Sequence, residues 1–212
     1  MMKQSKNRLI ITSAITLLPI LVGLLLWNRF PDQMVTHWDF HGVPNGWSSK
    51  LFAVVGLPLF LFGMHILCLF VTKSDPKAFN HSEKIMSLVY WICPAVSMFC
   101  MVSIYSAGLG FSISVDRIGI ILVGLLFIVI GNYLPKCKQN YTIGIKVPWT
   151  LSSEENWNRT HRFAGPIWVI AGVLFIILSF TGQEHLGIII VMAAAFIPMI
   201  YSYLYHRKNG HE

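Results

Sequence analysis

Two histidines and an aspartate stand at alternate positions in one polar segment, as His37, Asp39 and His41. If this stretch is a β-strand, the three side chains share one face, and Trp38 and Phe40 share the other. Imidazole and carboxylate groups are ligands that suit zinc or copper. The same pattern also fits a solvated polar face above an aromatic face at a membrane surface. The metal site is therefore one of two open interpretations.

The residues after this motif predict turns, because Gly42 and the cluster Pro44, Asn45 and Gly46 are typical turn formers. Trp47 follows, and the whole segment covers residues 28–50. A connection of this length is longer than most and indicates a structured loop with a function of its own.

A second long segment covers residues 136–163 and combines tryptophans with basic residues. Ser152 and Glu155 have the spacing of a capping box, which predicts a helix that begins near Ser153. Trp157 and His161 lie four residues apart and would face the same side of that helix. The Gly165-Pro166 pair predicts a bend after it.

This second segment has two interpretations that the residues do not separate. It fits an interfacial helix whose tryptophans lie among lipid headgroups while Lys146, Arg159 and Arg162 meet anionic lipid. It fits equally well a surface on which a cytoplasmic protein docks, where Pro148 and Trp149 would be presented by a fixed backbone.

Six apolar runs separate and position these segments: Leu9–Trp27, Leu51–Val71, Ser87–Ala107, Ile118–Leu134, Ala164–Phe180 and Leu186–Tyr205. Each is long enough to cross a hydrocarbon layer of about 30 Å as a helix. The mean hydropathy is +0.62, and only 12% of the residues are charged. The sequence therefore predicts an all-α integral membrane protein with about six transmembrane helices.

The distribution of Lys and Arg predicts the orientation. Thirteen of the 16 lie in the termini and in the second and fourth loops, and three lie in the remaining loops. Because cytoplasmic loops collect positive charge, we expect both termini and the segment 136–163 in the cytoplasm, and the segment 28–50 outside. This also explains the net charge of +7 without a nucleic-acid partner.

Several classes of function are disfavoured by what the spans contain. His65 is the one clear ionisable side chain within a span, so an ion-driven pump has no evident coupling group. The motifs of intramembrane hydrolases and phosphate-binding loops do not occur. Cys68, Cys93 and Cys100 fall in apolar runs and Cys137 in a cytoplasmic loop, which predicts no structural disulfide.

The two long segments resemble one known family. The cytoplasmic pattern is similar to the signature of the SdpI family, and the external pattern resembles the small N-terminal domain of unknown function that many members carry. The external residues are His37, Trp38, Asp39, His41, Asn45, Gly46 and Trp47. The cytoplasmic residues are Asn140, Tyr141, Gly144, Lys146, Pro148, Trp149, Thr150, Trp157, Thr160, His161, Arg162 and Gly165. Lys146 stands where we expect arginine, so a bidentate clamp at that position is in doubt.

The resemblance implies two sequence regions: residues 1–71 with the external loop, and residues 72–212 with four spans and the cytoplasmic loop. It implies a bacterial plasma-membrane protein that gives immunity to a membrane-active peptide toxin such as SdpC. It further implies that the external residues face the toxin and that the cytoplasmic motif holds a small winged-helix repressor, SdpR. No cofactor is implied, and no direct contact with nucleic acid.

Two alternatives remain from the residues themselves. The prolines within spans, Pro19, Pro58, Pro94 and Pro198, could open a path for a peptide or lipid transporter. A metal-dependent membrane enzyme could use His37, Asp39 and His41, or His161.

Overall fold

The computed structural model describes residues 2–39 and 41–209 and contains seven α-helices and one β-hairpin in that part of the chain. The helices are α1 (Met2–Leu25), α2 (Leu57–Lys73), α3 (Glu83–Gly108), α4 (Val115–Tyr133), α5 (Pro148–Ser152), α6 (Glu154–Leu178) and α7 (Glu184–Asn209). The strands are β1 (Gln33–Trp38) and β2 (Pro44–Ser49), which pair antiparallel.

Six helices are long and apolar enough to cross a membrane, and they confirm the six predicted spans. All of the helices except α2 and the short α5 begin before the predicted spans, most of all α6, which begins at Glu154 where the predicted span begins at Ala164. The predicted interfacial helix and the fifth span are therefore one continuous helix, and Gly165-Pro166 does not divide it. Gly165 and Pro166 both lie inside α6, and neither of them ends the helix.

The helix start at this point was predicted one residue too early. Ser153, not Ser152, is the N-cap, and its hydroxyl accepts a hydrogen bond from the Asn156 N–H at 3.2 Å. Ser152 instead ends the short helix α5. Both serines can cap a helix, and the extra turn of α5 determines which of them does.

The chain forms two compact units that are not contiguous in sequence. The first contains Met1–Phe70 and Met86–Asp116, and the second contains Val71–Ile85 and Arg117–Glu212. The two regions that the family resemblance implies, residues 1–71 and 72–212, are a different division of the chain, and they stay a prediction.

The first unit is built around an apolar cluster that joins the hairpin to the helices. Met34 of β1 is fully buried, and Phe30 lies against the Tyr105 ring at 5.0 Å. The Tyr105 hydroxyl donates to the Pro19 carbonyl oxygen at 2.8 Å. This hydrogen bond joins α3 to α1 within the first unit. The hairpin is thus attached to its helices by buried side chains.

His65 belongs to a buried polar row within the first unit. Its Nε2 lies 3.0 Å from the Thr12 hydroxyl, and that hydroxyl donates to the Arg8 carbonyl oxygen at 2.8 Å. The His65 Nδ1 has no hydrogen-bond partner among the described residues. His65 therefore joins two helices through one ring nitrogen.

In the second unit, α4 and α6 approach each other through two pairs of glycines. A Cβ atom at Gly131 would lie 2.8 Å from the Gly165 carbonyl oxygen, and one at Gly172 would lie 2.5 Å from the Gly124 carbonyl oxygen. Small residues allow such close backbone contact, which is a main source of helix association where lipid removes the hydrophobic driving force.

We expect the substitution Gly172→Ala to destabilise the protein by about 1–3 kcal/mol, because its methyl group would overlap the backbone of α4. Gly63→Ala is the matched control, since a Cβ atom at Gly63 would meet no atom within 4 Å. That change should leave stability unchanged or raise it, because alanine favours a helix. Thermal unfolding in detergent measures both, and equal effects would contradict the proposed close contact.

Candidate functional site

The external hairpin differs from the predicted strand at its tip. β1 ends at Trp38, and Asp39 begins a turn in which its Oδ1 accepts from the N–H groups of His41 and Val43, each at 2.9 Å. The three residues therefore do not share the face of a strand, and that prediction is wrong. The cause is the aspartate itself, since a short carboxylate that caps backbone N–H groups favours a turn over a strand.

The predicted turn at Pro44, Asn45 and Gly46 is also wrong, because these residues begin β2. Pro44 is the first residue of the strand, a place where the missing N–H is tolerated. Gly46 pairs with His37, and a Cβ atom at Gly46 would lie 2.9 Å from the His37 Cβ. The real turn lies at Gly42, whose φ of 72° is in the left-handed region.

Some side chains of the hairpin pack against the first unit, and others are exposed. Trp38 packs against the apolar cluster of the first unit, whereas Trp47 is 57% exposed. His37 is exposed, and its Nδ1 lies 2.5 Å from the Asn45 Oδ1, which makes Nδ1 the donor. The N–H groups of Val43 and His41 hold the pKa of Asp39 below its ordinary value, although desolvation acts in the opposite direction. Phe40 lies outside the described residues.

These contacts leave the metal hypothesis without a ligand set. Among residues 2–39 and 41–209, no group of three or more His, Cys, Asp or Glu side chains could hold a metal ion. In the hairpin, one oxygen of Asp39 is engaged with backbone N–H groups and one nitrogen of His37 with Asn45.

The cytoplasmic motif is organised around one buried imidazole. His161 Nε2 accepts from the Ile145 N–H at 3.0 Å, and its Nδ1 donates to the Trp157 carbonyl oxygen at 2.8 Å. Because one partner is a donor and the other an acceptor, the ring must be neutral with its proton on Nδ1. The Trp157 ring stacks on it at 4.1 Å, and the Trp157 Nε1–H donates to the Cys137 carbonyl oxygen at 2.7 Å.

Gly144 allows the loop to approach this pair of rings. Its φ of 121° disfavours any residue with a side chain, and a Cβ atom there would overlap the His161 Nε2. A glycine at this position therefore permits a close-packed backbone. The predicted shared face of Trp157 and His161 is confirmed, and that face points into the protein, since both residues are buried.

Other motif residues stabilise the loop from within. Asn140 is fully buried; its side chain accepts from the N–H groups of Thr142 and Ile143 and donates to the carbonyls of Lys138 and Ile143. The Thr150 hydroxyl accepts from the Val147 N–H at 3.1 Å.

Burial raises the pKa of the Cys137 thiol to about 11, although the hydrogen bond from Asn140 opposes the rise. The thiol is therefore protonated at neutral pH and is not a reactive thiolate.

The motif also joins α6 to α7. The Asn156 side chain donates to the Ser202 carbonyl oxygen at 3.0 Å, while its own oxygen accepts from the Thr160 hydroxyl at 2.9 Å. Thr160 is fully buried. Trp149 lies edge-on to Tyr203 at 5.3 Å and stacks with His206 at 6.3 Å.

Few of the predicted cytoplasmic residues are therefore available to a partner. Those that are exposed are Tyr141, Lys146, Pro148 and Arg162. Those that are buried are Asn140, Thr150, Trp157, Thr160, His161 and Gly165. Gly144 and Trp149 are half-buried. The interfacial interpretation, in which all tryptophans lie among headgroups, is wrong for Trp157 because the loop covers its ring.

One acidic residue outside the predicted set holds the motif. Asp75, in the connection between α2 and α3, is buried, and its Oδ2 accepts from the Tyr141 N–H at 2.9 Å and the Thr142 hydroxyl at 2.8 Å. The His81 Nε2 lies 3.6 Å from the same oxygen, and the Lys77 N–H donates to Oδ1 at 2.8 Å. The only sequence signal is a lone aspartate before Pro76 in a basic loop.

Asp75 keeps its charge although it is buried. Desolvation would raise the pKa of its carboxyl, but the hydrogen bonds from Lys77, Thr142 and Tyr141, together with His81, hold that pKa below its ordinary value. The carboxylate therefore stabilises the loop at neutral pH, where it is ionised.

Comparison with known proteins places both segments in recognised families. Residues 136–202 match the SdpI/YfhL protein family, and residues 14–62 match a domain of unknown function, DUF1648. The chain thus contains an SdpI/YfhL-family region and a DUF1648 region. It is 27% identical to "Immunity protein SdpI" of Bacillus subtilis (strain 168), in an alignment that covers 95% of this chain and 97% of that protein. No solved structure gives a significant match.

The family and the six apolar helices together make this chain a multi-pass bacterial membrane protein. The SdpI-family region includes the whole loop built on Asn140, Gly144 and His161. The DUF1648 region includes the hairpin, and it extends from α1 into α2. Each of the two segments singled out in the sequence thus belongs to a family region.

We expect Asp75→Asn to loosen the motif loop by about 1–3 kcal/mol, because an amide cannot accept the same set of hydrogen bonds. Hydrogen exchange at the Tyr141 and Thr142 amides would report this as faster exchange. Asp32→Asn is the matched control: its carboxylate pairs with Lys50 at 3.1 Å but is almost fully exposed, and such pairs contribute little.

The pH dependence follows from the lowered pKa of Asp75. The stabilisation by its carboxylate is fully present above the ordinary pKa of an aspartate and is lost as the pH falls through the lowered value in the folded protein. Equal exchange rates in wild type and Asp75→Asn at neutral pH would contradict this role.

Proposed function

We propose that this protein protects the cell that carries it from a membrane-active peptide toxin, and that the hairpin contacts the toxin. The supporting observation is the end-to-end similarity to a protein named as an immunity protein, which extends over both family regions. Protection of this kind needs a surface outside the bilayer, and the hairpin offers exposed side chains on a support fixed by Met34 and Phe30.

Trp47 is the strongest contact residue of that surface. It is 57% exposed; Val43, at 55%, and the histidines His37 and His41 are exposed on the same hairpin. Exposed tryptophans contribute strongly to peptide recognition because a large apolar ring loses water on binding. An amphipathic, membrane-active peptide would offer apolar side chains to this ring.

We further propose that the exposed part of the cytoplasmic motif, Tyr141 and Lys146, holds a small winged-helix repressor. The buried part of the motif serves to present these two side chains. Lys146 is fixed by its Nζ, which donates to the Thr142 carbonyl oxygen at 2.9 Å, and Tyr141 lies beneath Lys77, whose Nζ is 5.5 Å from the ring centroid. A cationic surface of this kind suits an acidic patch on a protein partner.

The test of immunity is survival of SdpC-sensitive cells that express this protein. We expect wild type to protect, and Trp47→Ser to lower the protective toxin dose by about tenfold, since loss of an aromatic contact costs about 1–2 kcal/mol. Phe79→Ser is the matched control, because Phe79 is an exposed aromatic residue (83%) in the connection before α3, a loop predicted to be cytoplasmic. Killing of the wild-type expresser would refute the immunity proposal for this toxin.

The repressor proposal is tested separately, by the fraction of SdpR found with the membrane after toxin is added. We expect Lys146→Glu to reduce this fraction several-fold, since a reversed charge repels an acidic patch. Lys208→Glu, at the basic end of α7, is the control. Survival should be normal in both variants, so failure of recruitment alone would leave immunity intact, and unchanged recruitment in Lys146→Glu would reject this surface.

A further inference from the structure

A cleft of about 790 Å³ lies between the beginning of α6 and the end of α7 in the second unit. Its lining combines charged, polar and aromatic side chains: Glu154, Glu155, Asn158, Arg159, Arg162, Phe163 and Tyr201. The proposed contacts with toxin and repressor do not involve this cleft.

The position of the cleft along the helices corresponds to the headgroup layer of a membrane. Arg162 is the last charged residue of α6, and the remainder of that helix, from Phe163 to Leu178, is uncharged. In α7, Tyr201 precedes the basic end formed by His206, Arg207 and Lys208. Aromatic and basic residues concentrate at this depth, where the apolar span meets the polar phase.

Arg162 is the cation in the cleft that is free to bind a ligand. Arg159 is engaged, since its Nε donates to the Glu155 Oε1 at 3.0 Å and its guanidinium lies 5.1 Å from the Tyr205 ring centroid. Arg162 is exposed and has no hydrogen bond, ion pair or ring contact to any described residue. Its planar guanidinium can donate two parallel hydrogen bonds to a phosphate group.

The aromatic wall of the cleft is apolar and fixed. The Phe163 and Tyr201 rings stack with their centroids 4.4 Å apart. Further along α6, the exposed face continues with Ile170 and Ile177, which are 58% and 53% exposed. A ligand that carries a phosphate on an apolar chain would therefore place its phosphate at the Arg162 guanidinium. Its chain would then follow the stacked rings and the aliphatic side chains.

We propose that this cleft binds the headgroup of a membrane phospholipid, with Arg162 as the ligand of its phosphodiester. The carboxylates of Glu154 and Glu155 at the same site disfavour free phosphate, which carries more charge than a phosphodiester. The continuous apolar face below the cleft favours a lipid over a segment of a soluble protein. Arg162 thus serves a different partner from Tyr141 and Lys146, although all three belong to the same sequence motif.

The experiment uses the purified full-length protein in a phosphate-free maltoside detergent. Phosphatidylethanolamine or phosphatidylglycerol is added, and the bound lipid is counted by native mass spectrometry. We expect Arg162→Gln to weaken phospholipid binding by about tenfold, which corresponds to loss of charge-assisted hydrogen bonds. Arg162→Lys should bind with intermediate strength, because it keeps the charge and loses the fork. Lys208→Gln removes one charge outside the cleft and should change binding by less than about twofold.

Three outcomes would overturn the proposal. Equal losses in Arg162→Gln and Lys208→Gln would mean non-specific attraction by the basic helix ends. Equal binding of a glycosyl diacylglycerol, or saturation by inorganic phosphate alone, would exclude a phospholipid headgroup as the specific ligand. Normal lipid binding by Arg162→Gln together with lost recruitment of SdpR would assign the cleft to the protein partner. Thermal unfolding without lipid verifies that each variant is folded.

Discussion

The second unit depends on the neutral imidazole of His161. The ring accepts from the backbone of one segment and donates to the backbone of another, so a single side chain satisfies an N–H and a carbonyl that burial would otherwise leave unpaired. Leaving either group without a partner costs about 1–3 kcal/mol. Protonation would replace the acceptor with a donor and break the contact to Ile145. The tautomer is therefore a structural requirement, which Trp157 supports by stacking on one face of the ring.

This requirement changes the meaning of the motif. A pattern of tryptophan, threonine, histidine and glycine at set spacing looks like a recognition surface, yet Trp157 and His161 are buried against the loop, and Thr160 is buried where α6 meets α7. What the motif specifies is largely a loop conformation. The exposed side chains of the loop itself are the less distinctive ones, Tyr141, Lys146 and Pro148. Asp75 completes this arrangement from outside the motif.

The spans could be predicted from the sequence because the signal is long and physical: about 20 apolar residues without a charge have few alternatives to a membrane helix. The conformation of the hairpin could not be predicted in the same way. Alternation at His37, Asp39 and His41 indicated a strand, but the Asp39 carboxylate competes for backbone N–H groups and makes a turn, and Pro44 to Gly46 became a strand because Gly46 must fit against His37. At Asp39 one local tendency, the capping of backbone N–H groups, prevailed over another, whereas at Pro44 to Gly46 pairing with β1 overrode the local turn propensity.

Asp75 could not have been found from a local pattern, because its hydrogen-bond partners are remote in the sequence. Its partners Tyr141 and Thr142 lie 66 and 67 residues away in the chain. A buried carboxylate costs free energy unless its lone pairs are filled, so its presence implies that donors surround it, but the sequence does not say which. Tyr141 and Lys146 lie at the surface of the motif loop, whereas His161, Asn140 and Asp75 hold its backbone from within. Substitutions at the two exposed positions can therefore alter the surface of the loop while its internal hydrogen bonds stay in place.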